Sequence, residues 1–303
     1  MSARYQFATD YHCPVGVLES VAPGLRRITA NNPGPLTFRG TGTYVVGRQN
    51  VAVIDPGPDD PAHIEALLSE LGGEKITHIL VTHTHRDHSA GVALLQQHCG
   101  APSYSLGTHT SLQRPSALPA ELDAAGDTDF TPDVVLTDNH ILRGDNWELQ
   151  CLHTPGHASN HAAFAEAAEN RVFVGDLVMG WSTPVLLPPD GHLSDYLTSL
   201  ERLQTRKDQI YWPTHGGPVR NPHALVEYLI QHRQQRTEAV MTAVESGHVT
   251  LPGMVEHGYP GLDDSLKPAA MRSALASVIY LMEQGKLTGD LAHGLNLTCQ
   301  LSS

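Results

Sequence analysis

A chain of 303 residues, 40% hydrophobic and 17% charged, has the length and apolar content for one large globular domain, or for one large and one small. Its formal charge of −13, from 32 acidic against 19 basic side chains, argues against an indiscriminate nucleic-acid binder and against a protein held on an anionic membrane. The first ten residues lack an apolar signal core, and no stretch approaches the ~18 apolar residues of a membrane span, so a cytoplasmic protein without a membrane partner is expected.

Residues Val17 to Ala30 read as strand, turn and strand, with Pro23-Gly24 as the turn. A loop follows, then strands over Gly42 to Gly47 and Asn50 to Asp55, the second ending on a carboxylate at a turn. Pro61 to Leu71 has helical spacing in His63, Ile64, Leu67, Leu68 and Leu71. Ile79 to Thr82 is a short apolar strand, and it runs straight into His83, His85, Asp87 and His88. Small residues then open a helix from Gly91 to Cys99. Residues 101–130, rich in Ala, Pro, Gly and Asp, read as an irregular excursion. Strand-like patterning returns over Asp133 to Leu142 and Trp147 to His153, after which Pro155-Gly156 turns the chain to present His157, with His161 four residues on. The strand Arg171 to Gly175 delivers Asp176, a helix covers Ser194 to Leu203, and the strand from Ile210 delivers His215. Strands alternating with helices indicate an α/β sheet protein. Beyond Pro222 the pattern is helical, over Pro222 to Val244 and Lys267 to Gln284, with a turn at Gly285. The expected division is 1–225 for the catalytic unit and 226–303 for a small helical unit.

Single histidines mean little in a chain with 19 of them, but three His and one Asp directly after a strand form a set. Side chains alternate along a strand end, so His83 and His85 can share one ion. Imidazole and carboxylate donors suit zinc, iron or manganese. The widely spaced Cys13, Cys99, Cys151 and Cys299 offer neither a CxxC pair nor a disulfide framework. With His157, Asp176 and His215 added there are too many ligands for one zinc. The natural partition gives His83, His85 and His157 to one ion and Asp87, His88 and His215 to a second, with Asp176 bridging. Two zinc ions per chain are expected, with iron or manganese as alternatives. Such a pair lowers the pKa of a shared water towards ~7, giving a bridging hydroxide for hydrolysis. Asp87 and Asp176 are the carboxylates expected to take part in catalysis.

The run His83-Thr84-His85-Arg86-Asp87-His88 resembles the HxHxDH signature of the metallo-β-lactamase superfamily. Thr154-Pro155-Gly156-His157, Gly175-Asp176 and Thr214-His215-Gly216 resemble its later motifs, in order, over about residues 17 to 225. The resemblance implies a four-layer αβ/βα sandwich with a dinuclear site of glyoxalase II type at the sheet edge. It also makes Asp55 the aspartate that supports the metal loop from behind. Asn32 to Gly47 is similar to the entry segment of the β-lactamase-like-protein-2 branch, although Gly42 stands where Asn is usual. That branch implies a winged-helix-like C-terminal domain, and its animal members are linked to cleavage of single-stranded RNA.

A hydrolase acting on a small acyl substrate, an ester, thioester or related carbonyl, is the leading expectation. A single-strand endoribonuclease is the alternative, with nucleic acid the less favoured partner, and a non-catalytic binding protein comes third. His161 is open between a solvent-facing and a substrate-side position, and Trp181 between packing and lining a pocket. His12, His98, His109, His223, His232 and His248 are expected at the surface.

Overall fold

The computed structural model describes residues 5–114 and 116–302, the side chain of Ser265 aside. Two mixed sheets face each other. In the first, β1 (Glu19–Ala22), β2 (Leu25–Thr29), β3 (Gly42–Val46) and β4 (Asn50–Ile54) are antiparallel, and β5 (Lys75–Leu80), β6 (Ser103–Ser105) and β7 (Val134–Val135) extend it in parallel. The crossovers carry α1 (Pro61–Leu71), the single turn α2 (Arg86–Ser89) and α3 (Val92–Cys99). In the second, β8 (Ile141–Arg143), β9 (Glu148–His153), β10 (Ala162–Glu166) and β11 (Arg171–Gly175) are antiparallel, and β12 (Ile210–Pro213) joins β11 in parallel after α4 (Leu193–Gln204).

Strand periodicity builds the layers. On β3 and β4, Tyr44, Val46, Ala52 and Ile54 point between the sheets, while Val45, Val51 and Val53 point towards α1 and α3. On β10 and β11, Phe164 and Phe173 join the core between the sheets, while Ala163, Ala165, Val172 and Val174 pack under α4. Strands covered on both faces carry apolar residues at successive positions rather than alternating with polar ones. The result is the expected four-layer α/β sandwich.

Helix α1 shows how local chemistry sets an element. Asp60 Oδ1 accepts from the Ala62 amide at 3.0 Å, Pro61 opens the first turn, and Gly72 closes the helix at φ 59°. Ile64, Leu67 and Leu71 lie on its buried side.

At the C-terminal end, α5 (Pro222–Glu245), α6 (Leu251–Gly258) and α7 (Lys267–Glu283) pack together, and β13 (Leu287–Gly289) pairs antiparallel with β14 (Cys299–Leu301). Helix α5 runs unbroken through 225/226. Its Leu225, Val226 and Leu229 belong to the core under the second sheet, and its Val240, Ala243 and Val244 to the C-terminal core.

Six elements differ from the sequence reading. The strand expected over Ile79 to Thr82 is β5, which begins at Lys75 and ends at Leu80. The excursion over 101–130 contains β6, and β10, α6 and the β13–β14 pair were not anticipated. Among the described residues no helix is long and apolar enough to cross a membrane, and the four cysteines are free.

Candidate metal centre

The site is assembled at strand ends. His83 and His85 follow β5, and the turn of α2 carries Asp87 and His88. His157 follows β9, Asp176 follows β11, and His215 follows β12. Gly156 makes the approach of His157 feasible. Its φ is +134°, and a Cβ there would sit 2.3 Å from the Tyr196 backbone.

All seven expected residues come together. Within each of three groups the donor atoms lie inside 4.8 Å of one another: His83, His85 and His157; Asp87, His88 and His215; and His83, His88 and Asp176. The Asp176 Oδ2 atom lies 3.7 Å from His157 Nε2, 3.5 Å from His88 Nε2 and 3.3 Å from His215 Nε2, so it stands between the first two groups.

Outer hydrogen bonds fix how the rings face. His157 Nδ1 donates to the Val185 carbonyl at 2.9 Å, which leaves the Nε2 lone pair inward. Thr82 Oγ1 donates to Asp55 Oδ2 at 2.8 Å, so it accepts from His83 Nδ1 at 3.1 Å, and the His83 Nε2 lone pair also faces inward. Both lone pairs meet His85 Nδ1, at 2.9 and 3.1 Å. One proton on that nitrogen can serve only one of them. A buried cluster of acceptors short of protons fits a cation. His88 Nε2 and Asp176 Oδ1 are likewise buried without a hydrogen-bond partner.

Electrostatics divide the cluster. Burial first, then neighbouring imidazoles, hold His83 well below its ordinary value and His85 down to about 3, and burial also lowers His157. For His88 and His215 burial opposes protonation, but Asp87 and Asp176 outweigh it, and His215 is pushed up to about 9. Burial likewise works against Asp87 and Asp176, yet the charges of His88 and His215 hold both below the usual carboxylate range. One group is thus three neutral imidazoles. In the other, the two carboxylates draw His88 and His215 towards the charged form, and a divalent cation would answer the same negative charge.

Asp55 ties three ligand segments to one carboxylate. Its Oδ1 accepts from the Thr82 amide at 2.8 Å, and its Oδ2 accepts from His88 Nδ1 and Thr214 Oγ1, both at 2.9 Å. Its φ of 51° is unusual for a non-glycine residue and is held in place by those bonds.

His109 and His232 are not at the surface as expected, and His161, left open between solvent and the substrate side, does not face solvent. His161 is fully buried, its Nδ1 beside Thr154 Oγ1 at 2.9 Å and its Nε2 accepting from the Asp176 amide at 3.2 Å. The apolar run Ala162-Ala163-Phe164 after it was the signal for burial. His109 is buried between Thr84 Oγ1 at 3.0 Å and Asp123 Oδ2 at 2.9 Å, and His232 is half-buried against Tyr228. His12, His98, His223 and His248 are exposed as expected. Asn160 belongs to no metal-ligand pattern in the sequence. It donates to Thr84 Oγ1 at 2.9 Å and so cross-links the His83–His85 segment to the His157 loop.

Above the cluster opens a cleft of about 320 Å³. Trp181 lines it and stacks on Phe38 at 4.9 Å.

Comparison with known proteins bears on the family and the fold. The profile of the Metallo-beta-lactamase superfamily matches residues 36–215. The "Beta-lactamase-like protein 2 homolog" of Drosophila melanogaster is 30% identical over 274 residues, covering 86% of this chain and 88% of its own. "Atrochrysone carboxyl ACP thioesterase dmxR1" of a Cryptosporiopsis species is 24% identical over 302 residues, covering 93% and 87%. Among solved structures, a metallo-beta-lactamase family protein from Thermus thermophilus superposes with a TM-score of 0.74 at 26% identity, covering 93% of this chain and all of the other.

Proposed function

The chain belongs to the metallo-beta-lactamase superfamily of hydrolases, and from that premise we propose that it holds two divalent cations, zinc before iron or manganese, and cleaves an ester, thioester or related carbonyl compound. The observation that carries this reading is the set of inward lone pairs and unpartnered buried atoms at the floor of an apolar cleft. His83, His85 and His157 would hold one ion, Asp87, His88 and His215 the other, and Asp176 would reach both. When bound, such a pair supplies Lewis acidity and an activated water at neutral pH. The chain's own part is to fix the ligands through Asp55 and the Val185 carbonyl, and to seat the acyl group against Trp181 and its neighbours. The apolar cleft and the thioesterase name borne by a relative support a carbonyl substrate.

The C-terminal helices with the β13–β14 pair would form the winged-helix-like unit, for which RNA is the natural alternative partner. The side chains there speak against an RNA groove. Arg233 is buried and donates to the Pro184 carbonyl, Arg236 lies over Tyr259, Arg272 donates to the Leu122 carbonyl, and Lys267 pairs with Asp264. Metal analysis of the reconstituted protein should give two equivalents. A parallel panel of esters, thioesters, lactones and single-stranded RNA at low salt should show turnover of the acyl compounds. Saturable RNA cleavage with negligible acyl turnover would reverse the assignment.

A further inference from the structure

The cleft walls are Leu36, Met179, Trp181, Val185 and Leu187, with Arg86 at their edge. An isolated exposed leucine needs no explanation. Leu36, however, is 52% exposed at the tip of a built turn. Phe38 and Gly34 exchange backbone bonds at 2.8 and 3.2 Å, and Thr37 Oγ1 donates to the Asn32 carbonyl at 2.6 Å. Phe38 holds a left-handed φ of 57° and stacks on Trp181, which locks the turn against the opposite wall. Leu36 therefore continues an apolar surface that a ligand would cover.

Arg86 is the one Lys or Arg among the described residues lining the cleft. Its side chain is 54% exposed, and Nη1 stands 4.0 Å from Asp127 Oδ1, too far for a hydrogen bond. Asp127 is already engaged, since Oδ2 accepts from Ser89 Oγ at 2.7 Å and Oδ1 from the Asp129 amide at 3.3 Å. The Arg86 backbone, between two candidate ligands, is fixed by its N–H, which donates to the Ala125 carbonyl at 3.2 Å. A fork of donors held there suits a carboxylate or phosphate.

Resting on the hydrolase reading, we propose that the substrate is an anionic amphiphile. Its apolar body fills the cleft of about 320 Å³. Its carboxylate or phosphate is received by Arg86. The anion belongs either to the acyl group or to the leaving thiol, and the chemistry at Arg86 is the same.

The test uses the metal-reconstituted full chain and three thioesters: octanoyl-N-acetylcysteamine, its ω-carboxylate counterpart, and octanoyl-pantetheine phosphate. Binding of octane-1-sulfonate and octan-1-ol is measured alongside by calorimetry. Wild type should favour at least one anionic thioester, and the sulfonate over the alcohol, by about tenfold, the worth of one charge-assisted contact. Whichever thioester gains identifies the half that carries the charge. In Arg86→Gln the anionic-to-neutral ratios should fall to near one, and Arg86→Lys should keep part of them. Ratios near one in wild type, or ratios unchanged in Arg86→Gln, overturn the proposal. Arg86-dependent sulfonate binding without turnover of any thioester would sink the hydrolase reading and leave the anion site standing. Turnover of all three at Arg86-independent ratios would do the reverse.

Discussion

Asp55 shows what one buried side chain does for this site. It accepts from His88 Nδ1, from Thr214 Oγ1, and from both the amide and the hydroxyl of Thr82. Asp55→Asn replaces an acceptor with an amide that must turn its NH2 against at least one of these donors. Loss of such a support behind a ligand costs about 10–100-fold in metal affinity, and the buried clash a further ~1–3 kcal/mol of stability. Chelator competition and urea unfolding measure the two, and wild-type values in both would show that Asp55 only ends a strand. His63 leads to a pH prediction. It is buried, Thr43 Oγ1 lies 2.9 Å from its Nε2, and Nδ1 has no partner. Burial lowers its pKa to about 4. Between its ordinary ~6.5 and that value the unfolded chain takes up a proton that the folded chain refuses. Stability therefore falls as pH falls through this window, by about 3 kcal/mol in all, from 1.36 kcal/mol per unit. His63→Gln should flatten unfolding free energy against pH between 6.5 and 4 relative to wild type, and an unchanged slope would remove His63 from the account. At this scale the seven cluster residues were legible because chemically apt side chains follow strands. His161, Asn160 and Thr84 were not. Their importance lies in bonds to partners far away in sequence, such as that from Asn160 to Thr84 across 76 positions.

Elements were legible where local signals agree and obscure where a neighbour decides. Helix α1 declares itself through Asp60, Pro61 and Gly72. Strand β10, with the sequence Ala-Ala-Phe-Ala-Glu, does not, because alanine favours helix over strand. It is a strand because β9 and β11 pair with it on both sides and its small side chains fit beneath α4. Short β6 hides in a polar, proline-containing stretch and is ordered by β5. The same dependence on neighbours operates at the turn before His157. Gly156 brings the loop against α4, whose Tyr196 backbone leaves no room for a Cβ. Gly156→Ala combines that clash with a φ of +134°, so the loop must move. The expected result is destabilisation by about 1–3 kcal/mol and selective loss of the ion proposed for His83, His85 and His157. Cobalt-substituted spectra of the variant should show one site changed and one retained. Two intact sites would mean that the loop tolerates the added carbon.

In the whole molecule, the excursion between β6 and β7 joins the C-terminal helices to the metal loop. Leu118 lies in the core of those helices with Leu122 packed against it, and Arg272 Nη1 donates to the Leu122 carbonyl at 2.9 Å. A few residues on, the Asp127 amide donates to the Thr84 carbonyl at 2.7 Å, Gly126 bridges to His85, and Ala125 lines the cleft. The sequence could not show this link, because the excursion reads as Ala, Pro, Gly and Asp without period and its anchor at Arg272 lies 150 positions away. The proposed metal ligands follow strand ends or stand on α2, while Ala125, which lines the cleft, stands on the excursion. Loosening the anchor should therefore disturb substrate fit and spare metal binding. In Leu122→Ala combined with Arg272→Ala, backbone exchange over 118–127 should accelerate. KM for acyl substrates should rise about fivefold, the equivalent of ~1 kcal/mol, with metal content unchanged. Hydrogen exchange by mass spectrometry reads the first effect and steady-state kinetics the second. Faster exchange with KM unmoved would show that the excursion is tied to the helices but takes no part in the cleft. If exchange itself does not change, the anchor has no hold on the excursion.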